Sequence, residues 1–133
     1  MILDALQTRE PFAADAQTIF LLAANERITA CMTAKSVTDI YYLTHKLTHS
    51  DKETRKILEK LFSLFQVLDT TASDNLHALP SAVSDYEDAL MVETAKRAGA
   101  DCIVTRNLRD YRSAEFPVLS PQEFLRRIES EDG

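Results

Sequence analysis

Short apolar segments rich in β-branched residues alternate along this chain with longer segments of helical period. That alternation limits the fold more than any other feature, because strands separated by helices are joined by crossovers rather than hairpins and so run parallel. Apolar spacing predicts a helix over 11–25, with Phe12, Ala16, Ile19, Phe20 and Ala23 on one face and Pro11 in the first turn. A strand over 27–33 and a helix over 34–48 follow, the latter burying Val37, Ile40, Tyr41 and Leu43 or Thr44. Ser50 and Glu53 form a capping-box pattern that opens a helix reaching about residue 65, with Leu58, Leu61, Phe62 and Phe65 at helical spacing. Next come a strand over 66–69, a short helix over 73–79 ending near Pro80, and a helix over 85–98 that Gly99 is placed to close. Strands at 101–105 and 117–119 precede a last helix, announced by the cap Ser120, the first-turn Pro121 and Glu123. The expected fold class is α/β: a three-layer α/β/α arrangement around a parallel central sheet, as one domain over 1–133.

Length and composition agree with this. A chain of 133 residues, 45% hydrophobic and 27% charged, suits one globular domain. The longest apolar run, 19–24, is far short of the roughly 20 residues that cross a bilayer. No basic segment followed by an apolar one opens the chain, so a cytoplasmic location without membrane contact is expected. The formal charge of −6 argues against a protein that coats nucleic acid through bulk electrostatics. Cys31 and Cys102 lack the spacing of a disulfide or zinc framework and read as reduced core thiols. His45, His49 and His77 fall on polar helix positions without a metal-binding pattern, and Tyr41 and Tyr42 read as core aromatics.

The acids carry the functional signal. In a parallel α/β sheet, helix starts lie at the edge where strands end, and ligands bind there. Asp39 lies near the start of the helix after strand 27–33, and Asp85 and Asp88 occupy the first turn of helix 85–98. Asp110 lies in the loop leaving strand 101–105, with Asn107 beside it. Topology therefore sends all four acids to one edge, where a cation is the usual remedy for their repulsion. Oxygen ligands of this kind suit Mg²⁺ or Mn²⁺. Each acid also has a plainer reading: Asp85 and Asp88 as caps, Asp39 as an exposed helix residue, Asp110 as a turn former, and Thr105, Arg106 and Asn107 as loop residues.

As a set, these segments resemble the PIN-domain family, in particular the branch of PIN-like toxins of toxin–antitoxin pairs (VapC-type). Ile2-Leu3-Asp4-Ala5-Leu6 with Arg9-Glu10-Pro11-Phe12 resembles the turn and helix after the family's first strand. Ser36-Val37-Thr38-Asp39-Ile40-Tyr41-Tyr42 and Asp85-Tyr86-Glu87-Asp88-Ala89-Leu90 resemble the two helix starts that carry its second and third acids. Ile103-Val104-Thr105-Arg106-Asn107, with Asp110-Tyr111, resembles the strand end and loop of the last ligands, and 118–125 the closing segment. The resemblance implies a metal-dependent endoribonuclease with Mg²⁺ or Mn²⁺, acting on RNA and partnered by a protein antitoxin. It implies Asp39, Asp88 and Asp110 as catalytic metal ligands with Asn107, and Asp85 and Thr105 as supports behind them. It places Arg106 and Arg109 at the RNA phosphates.

The family's first strand, which ends in aspartate-threonine-asparagine, has no counterpart here, since Met1 falls just before the segment that should follow it. The resemblance thus implies a chain short of one strand and one carboxylate, poor in activity, which closes the gap itself or borrows a neighbouring chain, most simply as a homodimer. Two other readings stand beside this one. A non-catalytic PIN-like module would bind RNA or protein without cutting. A phosphatase-like α/β domain would need an aspartate nucleophile after an early strand, and none is present.

Overall fold

Side-chain oxygens fix most helix starts in this chain. Thr33, Ser50, Thr71, Asp85 and Ser120 each accept a hydrogen bond from the backbone N–H three residues on. In a computed structural model, which describes residues 1–132, contacts group the chain into two units: Ile2–Asp69, and the residues from Thr70 onward.

The first unit holds α1 (Ile2–Leu6), α2 (Ala13–Ala24), β1 (Ala30–Thr33), α3 (Ala34–Thr48), α4 (Asp51–Leu64) and β2 (Phe65–Leu68). β1 and β2 pair in parallel, from Ala30 opposite Phe65 to Thr33 opposite Leu68. The core is Met32, Ile40, Leu61 and Phe65, with the Phe20 ring set edge-on against Phe65 at a centroid distance of 5.3 Å. β1 starts three residues later than apolar character alone predicts. The reason is how α2 ends: Glu26 takes a φ of 58°, its N–H bonds Ala23 O at 3.1 Å, and Arg27 N–H bonds Leu22 O at 2.9 Å. That is a Schellman closure, and it consumes the residues that would have extended the strand.

Four expectations need correction in this unit. Pro11 precedes the helix rather than opening it, and Phe12 caps α2 while 41% exposed. Tyr42 is 66% exposed, because the buried stripe of α3 runs through Ile40 and Thr44, about 160° or more from it at 100° per residue. Phe62 is half exposed beside the fully buried Leu61. Cys31 is exposed, since its neighbour Met32 takes the buried side of the two-residue strand period.

The second unit holds α5 (Ala72–Ala78), α6 (Tyr86–Ala98), β3 (Ile103–Val104), a 3₁₀ turn (Leu108–Tyr111), β4 (Val118–Leu119) and α7 (Pro121–Asp132). β3 and β4 pair in parallel, and Thr105 N–H extends the ladder to Leu119 O at 2.9 Å. Ala78, Val83 and Ala89 form its core, with Leu90 and Ala114 packed on them. Small side chains let α5 approach α6 closely. The Arg97 guanidinium then reaches Asp74 at 2.9 Å, and the hydroxyls of Thr70 and Thr94 meet at 3.3 Å. Helices and short parallel strand pairs make this an α/β protein, and the strands of the described residues form two pairs of two.

Candidate functional site

Three helices of the second unit begin with the same pattern, a capping side chain followed three residues later by an acid. At α5 the exchange is complete: Thr71 accepts from Asp74 N–H, and Asp74 accepts from Thr71 N–H. At α7, Ser120 and Glu123 complete the same exchange. At α6 only half of it forms. Asp85 Oδ1 accepts from Asp88 N–H at 3.0 Å, but the Asp88 carboxylate does not return the bond. Instead it lies beside Tyr111, Asp85, Glu87 and Asp110, whose hydroxyl and charges act on it. An acid withheld from its ordinary capping role is the local feature that marks this site.

The electrostatics are consistent with that. Burial raises the Asp88 carboxyl above the usual carboxylate range; the Tyr111 hydrogen bond opposes this, and the charges of Asp85, Asp110 and Glu87 add to the rise. Burial, and then the charge of Asp88 with those of Asp110 and Asp85 behind it, push the Tyr111 phenol far up, so it stays a hydrogen-bond donor. Tyr111 ends the 3₁₀ turn that packs on α6, and that turn also carries Arg109 and Asp110. Nothing in the sequence alone singles out Tyr111. It shares its loop with Leu108 and Phe116, and spacing does not set it apart from them.

The remaining expected residues sit as follows. Asn107 caps the 3₁₀ turn through its backbone, and its N–H bonds the Thr105 hydroxyl at 3.1 Å. Thr105 therefore shapes the loop that carries Asn107. Arg106 and Arg109 are exposed on the same loop. Asp39 belongs to the first unit, in the second turn of α3, where it is exposed and pairs with Lys35 at 3.2 Å. A groove of about 500 Å³ between α3 and α4, floored by Val37, Tyr41, Leu58 and Phe62, contains none of the expected acids. Partial desolvation raises both cysteine thiols, Cys31 included although it is exposed, and neither is a ready thiolate.

A hard divalent cation fits the chemistry of the α6 start: oxygen donors, mutual repulsion that a cation would relieve, and a carboxylate not committed to a cap. Among the described residues no three His, Cys, Asp or Glu side chains stand close enough to hold an ion unaided. Mg²⁺ tolerates this, because it keeps several waters and is commonly bound by one or two carboxylates plus substrate phosphate.

Short parallel strand pairs with helices between them define the α/β class of protein. Within that class the chain belongs to the PIN domain family, whose model matches residues 1–109. PIN domains are in general divalent-metal-dependent nucleases that bind RNA. No curated protein matches the chain. No helix of the described residues is long and apolar enough to cross a membrane.

Proposed function

We propose that this protein is a Mg²⁺- or Mn²⁺-dependent endoribonuclease, acting as the toxin of a toxin–antitoxin pair in the cytoplasm. The observation that carries the reading is the half-made cap of α6, which leaves the Asp88 carboxylate among Asp85, Glu87 and Asp110. Asp88 and Asp110, with the Asn107 amide, would hold the cation. When bound, it supplies an activated water and charge neutralisation at a phosphate. Asp85 fixes the turn that presents Asp88, and Tyr111 orients the Asp88 carboxylate. Arg106 and Arg109 would meet phosphate oxygens beside the acids. A protein antitoxin and a second copy of the chain are the partners we assign, the exposed Leu21, Tyr42 and Leu47 of the first unit offering apolar contacts for them.

The test is cleavage of a labelled RNA in Mg²⁺ and in Mn²⁺. Asp88→Asn should lower the rate at least about 100-fold, the order expected when a metal-holding group is lost. Asp110→Asn should lower it less, and Asp39→Asn is the parallel test for the first unit. An RNA that is bound and left intact by the folded, metal-loaded wild type would replace the nuclease with a binding module.

A further inference from the structure

Three backbone hydrogen bonds in the loop after β3 each span three residues. Asp110 N–H bonds Asn107 O at 3.1 Å, Arg112 N–H bonds Arg109 O at 3.3 Å, and Ala114 N–H bonds Tyr111 O at 2.9 Å. Arg109 lies inside the 3₁₀ turn, and Arg112 caps it at a φ of −53° and a ψ of −37°. At three residues per turn, side chains three apart eclipse, so Arg109 and Arg112 leave the same side of the turn. Asp110 and Tyr111 leave the other two sides, about 120° away in either direction. Tyr111 is on the inner one, beside Asp88, and Ala114 after it packs on Ala78, Val83 and Ala89. Asp110, bonded back to Asn107, is on the side that the proposed cation uses. The arginine side is exposed.

These two guanidiniums differ from the arginines that serve the fold. Arg55 is held by Asp51 and Arg97 by Asp74, whereas neither Arg109 nor Arg112 has an ion-pair partner among the described residues. Like charges one turn apart repel each other, and an anion relieves that repulsion. Spacing selects the anion. A rise of about 2 Å per residue puts the two Cα atoms about 6 Å apart, close to the distance between successive phosphates of a nucleic-acid strand. Each guanidinium offers a phosphate a two-pronged donor. We propose that Arg112, together with Arg109, grips two successive phosphates of a single-stranded RNA, next to the phosphate held at the acids. This rests on the proposed nuclease reading and adds Arg112 to it as a substrate-binding residue. A chain of formal charge −6 repels a polyanion over most of its surface, so the strand has to be held locally, and the arginine side is where it is held. Phosphate contacts fix the position of a strand and not its sequence. The grip therefore requires a strand of several phosphates, whatever its bases, and a single nucleotide cannot span it.

The experiment uses the full chain and a fluorescein-labelled single-stranded oligoribonucleotide over a series of KCl concentrations. Binding is read by anisotropy in Ca²⁺, and kcat and KM for cleavage are read separately in Mg²⁺. On a single strand each phosphate contact contributes about 0.7 to the slope of log affinity against log salt. Arg112→Gln should lower that slope by about 0.7 and weaken binding about 5-fold at low salt. The double variant Arg109→Gln, Arg112→Gln should lower the slope by about 1.4. Arg112→Lys keeps the charge and should keep the slope. In cleavage, Arg112→Gln should raise KM more than it lowers kcat. Arg126→Gln is the control, since it removes one exposed positive charge from α7 and should leave the slope unchanged. An equal fall in slope in Arg126→Gln would assign the effect to net charge and overturn the grip. Wild type that binds with these slopes but does not cut overturns the nuclease and leaves the grip standing. Wild type that cuts, while Arg112→Gln keeps the wild-type slope and KM, overturns the grip alone. Absence of both binding and cleavage by wild type overturns both.

Discussion

Asp88 and Asp74 occupy the same position, third in a helix after a capping residue, and their surroundings drive them in opposite directions. Asp74 is buried, which by itself raises its carboxyl, but the Thr71 N–H, the Arg97 guanidinium and the Thr71 hydroxyl together outweigh this and hold it below the usual range. A depressed acid contributes stability that is present above its unfolded pKa and lost as pH falls through the folded one. Asp74→Ala should therefore cost about 1–2 kcal/mol at neutral pH, the order of a lost helix cap, and the loss should shrink in acid, as measured by urea denaturation at a series of pH values. Asp88 is raised, so its contribution has the opposite sign: a penalty absent below the ordinary carboxylate range and fully present once pH exceeds its folded pKa. Metal-free Asp88→Asn should accordingly melt above wild type at pH 7, with the gain fading in acid. A lower melting temperature at every pH would show that Asp88 serves the helix and not a site.

At the scale of elements, caps and closures explain where helices begin and end. Gly99 closes α6 with a φ of 74°, bonding Lys96 O at 3.2 Å, and a Cβ there would meet nothing within 4 Å. The cost of Gly99→Ala is then purely conformational, about 1 kcal/mol. His49, whose side chain is exposed, closes α3 at a φ of 53°. His49→Gly should raise stability by a few tenths to about 1 kcal/mol. Thermal melts of the two variants should move in opposite directions. The first unit adds a polar tie between helices: the Tyr41 hydroxyl donates to Asp51 at the start of α4, and Arg55 holds the same carboxylate at 2.8 Å. Both groups are solvated, so the tie orients the helices more than it stabilises them.

For the whole molecule, the proposed cation site predicts a stability that depends on cations. A ligand that binds only the folded chain stabilises it by mass action, about 2.7 kcal/mol at a hundredfold excess over its dissociation constant. Mg²⁺ or Mn²⁺ should therefore raise the melting temperature of wild type and leave Asp88→Asn unmoved. An equal rise in both would assign the effect to general screening of the −6 charge.

Much of this protein was legible in its sequence, wherever the cause is local. Capping patterns at Ser50–Glu53 and Ser120–Glu123, the closing Gly99 and the apolar spacing of 34–48 and 85–98 predicted helices that the structure contains. These signals act over three or four residues, so neighbours in the chain suffice to read them. The acids could be named for the same reason, through their place at helix starts and in one loop. Tertiary structure alone decided what surrounds each acid. The same cap-and-acid pattern became a buried structural pair at Asp74, because α6 brought Arg97 to it. It became a half-buried carboxylate with a raised pKa at Asp88, because the 3₁₀ turn brought Tyr111 and Asp110. It also decided which aromatics stay outside, Tyr42 and Phe62 among them. A side chain's charge state and exposure depend on groups far away in the chain, and sequence spacing carries no record of them.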